Sequence, residues 1–123
     1  MNVLAELIKV DLMETSSHEG VFALRATLSS YRESAVYKAH FPEKPITPGV
    51  LMIQAVVELM EMATKKRLTL REVINVKYLA LMTPEDIDGC TVEETLNSEG
   101  VLSASYSKSD NTFAKIKILV RSV

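Results

Sequence analysis

A chain of 123 residues, 47% of them hydrophobic, is long enough to fold as one domain with a real core and too short for two. Its 14 basic and 16 acidic residues leave a net charge of −2, which argues against the basic face that nucleic-acid binding requires. No apolar run reaches bilayer length, no signal peptide is apparent, and the lone Cys90 forbids an intramolecular disulfide, so a reducing, cytoplasmic setting is expected.

In chain order, residues 4–13 are ambiguous between helix and strand, and β-branched Ile8 and Val10 tip them towards strand. Residues 21–29 alternate with a period of two, and the turn at 16–20 makes the pair a hairpin with His18 at its tip. The main helix is expected over 48–66. A strong strand is expected over 73–82, closed by Thr83-Pro84-Glu85-Asp86. Cys90 follows Gly89 at the start of the next strand and reads as a small packing residue. Residues 91–97 and 101–108 flank Ser98-Glu99-Gly100 as a second hairpin. Residues 112–120 close the chain, with Lys115 and Lys117 on one face and Ala114, Ile116 and Ile118 on the other. Six strands and one long helix predict an α+β layer in which the sheet wraps the helix.

The stretch from His40 to Ala55 carries the chemistry. One of only two histidines sits in a loop stiffened by Pro42, Pro45 and Pro48, which restricts the backbone before the helix begins. Thr47 is expected as N-cap and Pro48 as the first helical residue, with Gly49 letting the free amides of the first turn approach a ligand. A fixed base beside a bare helix N-terminus suits chemistry in which a proton leaves carbon and charge grows on a carbonyl oxygen. Two histidines and one cysteine, widely spaced, match no zinc pattern, and neither a phosphate loop nor a nucleophile elbow is present, so no metal or cofactor is expected.

The segment resembles the signature of the β-hydroxyacyl-acyl-carrier-protein dehydratases of the hotdog fold, approximately G-H-F-P-G-x-P-x-x-P-G-V-L-x-x-E-A-x-A-Q. His40, Phe41, Pro42, Pro45, Pro48, Gly49, Val50, Leu51 and Ala55 match. Ala39 and Glu43 replace two loop glycines, Gln54 stands where the family has its acid, and Glu58 stands where it has glutamine. The resemblance implies a hotdog fold, an antiparallel sheet of five to six strands around a central helix. It also implies roles. His40 would take the α-proton of a 3-hydroxyacyl thioester and the Gly49 amide would polarise the carbonyl, with Phe41, Pro48 and Val50 along the substrate. An acid at position 54 would protonate the departing hydroxyl, but glutamine releases no proton, so Gln54 is left to orient a hydroxyl or water. Glu58, one turn on and shifted by about 6 Å, would replace the acid only through a water or a deeper substrate. Its plainer role is in the polar stripe Gln54, Glu58, Glu61, Lys65 of an amphipathic helix.

The helix is apolar over most of its circumference, from Val50 through Met60, so part of it is expected to bury against a second chain. The family's hotdogs pair as dimers whose sites take the histidine from one protomer and the acid from the other. A homodimer of this chain would lack both acids; a heterodimer would keep one competent site. The family's N-terminal Leu-Pro-His-Arg-Tyr-Pro-Phe segment has no counterpart, which implies an acyl pocket that is more open or completed by another subunit. Lys65, Lys66, Arg67 and Arg71 read as a solvated helix C-terminus in preference to a carrier-docking patch. Three readings stand: a dehydratase acting on a thioester of acyl carrier protein or coenzyme A; a subunit that needs a glutamate-bearing partner or only binds acyl thioesters; and a hotdog thioesterase in which Glu58 activates water. The His40 loop, which a thioesterase does not need, ranks the third last.

Overall fold

A computed structural model describes residues 2–39 and 46–123. The elements run α1 (Val3–Glu6), β1 (Ile8–His18), β2 (Val21–Ser30), α2 (Ala35–Ala39), α3 (Gly49–Thr64), β3 (Leu68–Tyr78), α4 (Pro84–Ile87), β4 (Thr91–Leu96), β5 (Val101–Lys108) and β6 (Asn111–Ser122). The six strands form one sheet in the order β1-β2-β4-β5-β6-β3, antiparallel at every pairing.

Alternation decides which face meets the helix. Leu102, Ala104 and Tyr106 of β5, and Ala114, Ile116, Ile118 and Val120 of β6, are buried, while their neighbours in sequence are more exposed. The inner face packs with Met52, Ala55, Val56, Val57, Leu59 and Met60 of α3 in a single core. Burying a large aliphatic side chain contributes roughly 1.5–3 kcal/mol, so this shared face is what holds the long helix in the curve of the sheet. The architecture is the hotdog fold that the sequence resemblance implied.

Several boundaries differ from the sequence expectation. Residues 4–13 divide: the first turn is helical and only Ile8 onwards is strand. The β1–β2 hairpin turns on Glu19 and Gly20, both at positive φ (48° and 80°), which is the tight two-residue turn that matches strand twist. His18 therefore ends a strand and is exposed. Helix α3 stops at Thr64, with Lys65 in the left-handed conformation (φ 59°) donating its amide to Glu61 O at 2.8 Å. Strand β3 starts at Leu68 and ends at Tyr78, four residues short of Met82. The apolar 79–82 segment leaves the sheet and folds over the start of α3, where Met82 is buried and its carbonyl accepts from the Thr47 amide at 2.6 Å. Cys90 is buried, as its packing role required, and burial pushes its thiol up to about 12. No helix among the described residues is long and apolar enough to cross a membrane.

Candidate functional site at the start of the central helix

The helix begins one residue later than its sequence suggests. Pro48, extended at φ −60° and ψ 136°, is the N-cap and Gly49 the first helical residue. Thr47 does not cap: it is buried, and its hydroxyl bonds to Tyr37 Oη at 2.9 Å. The competing partner lies ten residues back in the chain, where local sequence reasoning does not reach. The Pro48 carbonyl accepts from Leu51 N at 3.0 Å and Met52 N at 3.2 Å. The amides of Gly49 and Val50 have no acceptor among the described residues. A proline N-cap with no capping side chain thus leaves these donors without an acceptor among the described residues, at the positive end of the helix.

The environment of that end is built by two tyrosines. Tyr106, fully buried on β5, donates to the Met52 carbonyl at 2.7 Å and fixes the first turn from beneath. Tyr78, at the end of β3, lies against Gly49. A Cβ added at Gly49 would stand 2.6 Å from Tyr78 Cζ and 2.7 Å from its Oη, so any side chain there requires the Tyr78 ring to move. Gly49, Met52, Tyr78, Ala80, Leu81 and Met82 line most of an apolar recess of about 180 Å³ here. Val50 is 70% exposed at the same end, and Pro48 is half-buried. His40 and Phe41 lie outside the described residues; α2 ends at residue 39, immediately before them in the chain.

Gln54 and Glu58 are placed elsewhere. At 3.6 residues per turn they lie about 140° and 180° around α3 from Gly49, so one chain does not bring them to the helix start. Gln54 is exposed and donates from Nε2 to Glu58 Oε2 at 3.0 Å. Glu58 also accepts from Val3 N at 3.1 Å and Leu4 N at 2.9 Å, closing the N-terminus of α1. The polar stripe is therefore partly an anchor: Glu58 carries out for α1 the capping that Asn2 does not. An open recess of about 480 Å³ lies over this side, lined by Asn2, Leu4, Ala5, Gln54, Glu58, Glu61 and Met62.

Two groups escaped the sequence reading. Tyr78 shares the inner face with Val76, a relationship visible in the period of two once the strand is ended at the right residue. Glu94 sits on the inner face of β4, 1% exposed, with neither carboxylate oxygen hydrogen-bonded among the described residues. Burial pushes its carboxyl well above the ordinary range, which favours the neutral acid. No cluster of three or more metal-ligating side chains occurs among the described residues.

Strand β3 is an outer strand of the sheet, and it carries exposed Leu70, Val73, Ile74 and Tyr78, continued by Leu79 and Leu81. Long, apolar, unpaired edges of this kind mark surfaces that another chain covers.

The same fold is found in an uncharacterized protein from Erwinia carotovora subsp. atroseptica, at 16% identity and a TM-score of 0.79 over 95% of this chain and 98% of that one. It is found again in the dehydratase heterocomplex ApeI:P from Xenorhabdus doucetiae, at 19% identity and a TM-score of 0.66 over 91% and 96%. At such identities the likeness is one of fold. No curated protein matches the sequence. The ApeI-like family, described as ApeI dehydratase, matches residues 14–117, a span that contains the whole His40–Ala55 stretch and the helix start described above. The chain belongs to the ApeI-like dehydratase family.

Proposed function

We propose that the protein takes part in eliminating water from a 3-hydroxyacyl thioester, carried by acyl carrier protein, to give a trans-2-enoyl thioester, in an assembly with a second hotdog chain in the cytoplasm. The observation that carries this reading is the pair of uncapped amides at Gly49 and Val50, next in sequence to a proline-framed histidine. In this reading His40 takes the proton from Cα, and the electrons left behind move onto the thioester oxygen, which the Gly49 amide stabilises. As they return, the Cβ–O bond breaks and the hydroxyl leaves, taking up a proton to become water. Phe41, Pro48 and Val50 flank the thioester.

Among the described residues, neither helix position to which the resemblance points supplies that last proton. Gln54 holds none to give, and Glu58 is taken up by the α1 amides and by Gln54. The preferred arrangement is therefore heteromeric: this chain supplies His40 and Gly49, and a glutamate on the partner's helix supplies the acid. The exposed apolar edge of β3 and the outward Val50 and Met62 give such a partner a surface to cover. The naming of a fold relative as a dehydratase heterocomplex fits the same picture. The thioesterase reading is weakened, because Glu58 would have to leave its cap to activate water.

The test is formation of enoyl thioester by the purified chain, by His40→Ala and by Gln54→Glu. Little turnover by the native chain, a gain in Gln54→Glu, and loss of that gain when His40→Ala is added are the results expected. Release of free acid and thiol in place of an enoyl product would end the proposal.

A further inference from the structure

The geometry points to Tyr78 as a second hydrogen-bond donor to the substrate's thioester carbonyl, beside the Gly49 amide; this rests on the dehydratase reading. Three tyrosines surround the start of α3, and two have their hydroxyls engaged: Tyr37 with Thr47 at 2.9 Å and Tyr106 with the Met52 carbonyl at 2.7 Å. The Tyr78 hydroxyl has no partner among the described residues, yet it rests so close to Gly49 that a Cβ there would be 2.7 Å from it. The residue it rests against, Gly49, carries an amide without an acceptor among the described residues, as does Val50 after it. A free hydroxyl packed on a residue whose own amide is free is the pairing that a developing oxyanion can use.

Its surroundings strengthen the argument. The recess beside the phenol has a mostly apolar lining while Tyr78 is itself 49% exposed, so water is thinned out there only when an acyl chain fills the recess, and a hydrogen bond to a growing charge is then worth more. Burial raises the Tyr78 phenol above its ordinary value, so it remains protonated and donating at neutral pH. The hydroxyl keeps its proton throughout: it shares it with the carbonyl oxygen while His40 holds the proton from Cα, and releases the carbonyl when the Cβ–O bond breaks. The glycine at position 49 then has two functions, a free amide and the clearance in which the phenol sits.

Tyr78→Phe removes the hydroxyl and leaves the ring. Placed in the Gln54→Glu background and given a 3-hydroxyacyl-pantetheine substrate, it is expected to lower kcat for enoyl formation roughly 10²-fold with KM little changed, the size of effect seen when one oxyanion donor is lost. A carbonyl-labelled hexanoyl-pantetheine thioester, which cannot eliminate, gives a second readout: its infrared carbonyl band, lowered on binding to the native protein, should move back up in the variant. An unchanged rate and an unchanged band in Tyr78→Phe would overturn the inference. A Gln54→Glu protein that forms no enoyl product while the band of the native protein still depends on Tyr78 would remove the dehydratase reading and keep the donor. A band that does not move on addition of the native protein would remove both.

Discussion

The amide of Leu4 donates to Glu58 Oε1 at 2.9 Å, across 54 residues of chain, and this contact ties the first turn of the protein to the middle of its central helix. With the Val3 amide on Oε2 at 3.1 Å, one carboxylate closes a helix whose own N-cap residue makes no side-chain bond.

Glu58→Ala should therefore act on stability. Loss of an N-terminal cap costs about 1–2 kcal/mol, and two buried-end amides lose their acceptor together. Chemical denaturation should show that loss, and the amides of Val3 and Leu4 should exchange with solvent far faster. Unchanged exchange at both would refute the capping role.

Gly49→Ala sets two effects against each other. Alanine favours helix over glycine by up to about 1 kcal/mol, but its methyl would sit 2.6 Å from Tyr78 Cζ. In the native background the clash should win and the variant should be less stable. In a Tyr78→Ala background the same change should become neutral or stabilising. The sign reversal is read from a double-mutant cycle of unfolding free energies, and additive values would show that the ring does not constrain position 49.

Glu94 gives a pH dependence of defined sign. Its carboxyl is raised in the folded state and ordinary in the unfolded one, so between those two values the folded protein holds a proton that the unfolded chain has lost. Stability through this group is full below the unfolded value, about pH 4.3, and is lost as pH rises towards the folded one. Glu94→Leu should stabilise the protein by about 1–3 kcal/mol at pH 7 and by much less near pH 4. Thermal unfolding at both pH values checks it; an equal gain at both would mean that ionisation is not what limits stability there.

The edge of β3 should behave as an interface. Val73→Lys places a charge among the exposed apolar side chains of that strand and should shift the assembly to lower mass in sedimentation velocity at micromolar concentration, with the helical signal of the monomer retained. A mass unchanged from the native protein would place the interface elsewhere.

The sequence was most legible where burial alternates. The pattern in 101–108 and 112–120 identified β5 and β6 and the face they turn inward, because each strand is buried on one side only. It was least legible where a partner is distant in the chain. Four residues of α1 make no helix alone and depend on Glu58. The strand expected over 73–82 misses Leu68–Glu72, because their strand character comes from pairing with the far end of β6, where Leu68 meets Ser122 and Leu70 meets Val120. At the site, the glycine and the bare helix end were visible in the Pro48-Gly49 pair. Tyr78 was not, because its place against Gly49 depends on how the end of a strand meets the start of a helix 29 positions earlier.

The roughly 140° separating Gly49 from Gln54 around α3 gives position 54 an unusual independence. In the two-chain site proposed above, the side chain at 54 would face the substrate held by the neighbour's histidine and not the one held by its own. A chain paired with a glutamate-bearing neighbour would then keep its own reaction whatever it carries at 54, and only the neighbour's site would go silent. On that proposal, exchange of the acid for an amide would convert a two-site machine to a one-site machine, with the second face of the helix released for other uses.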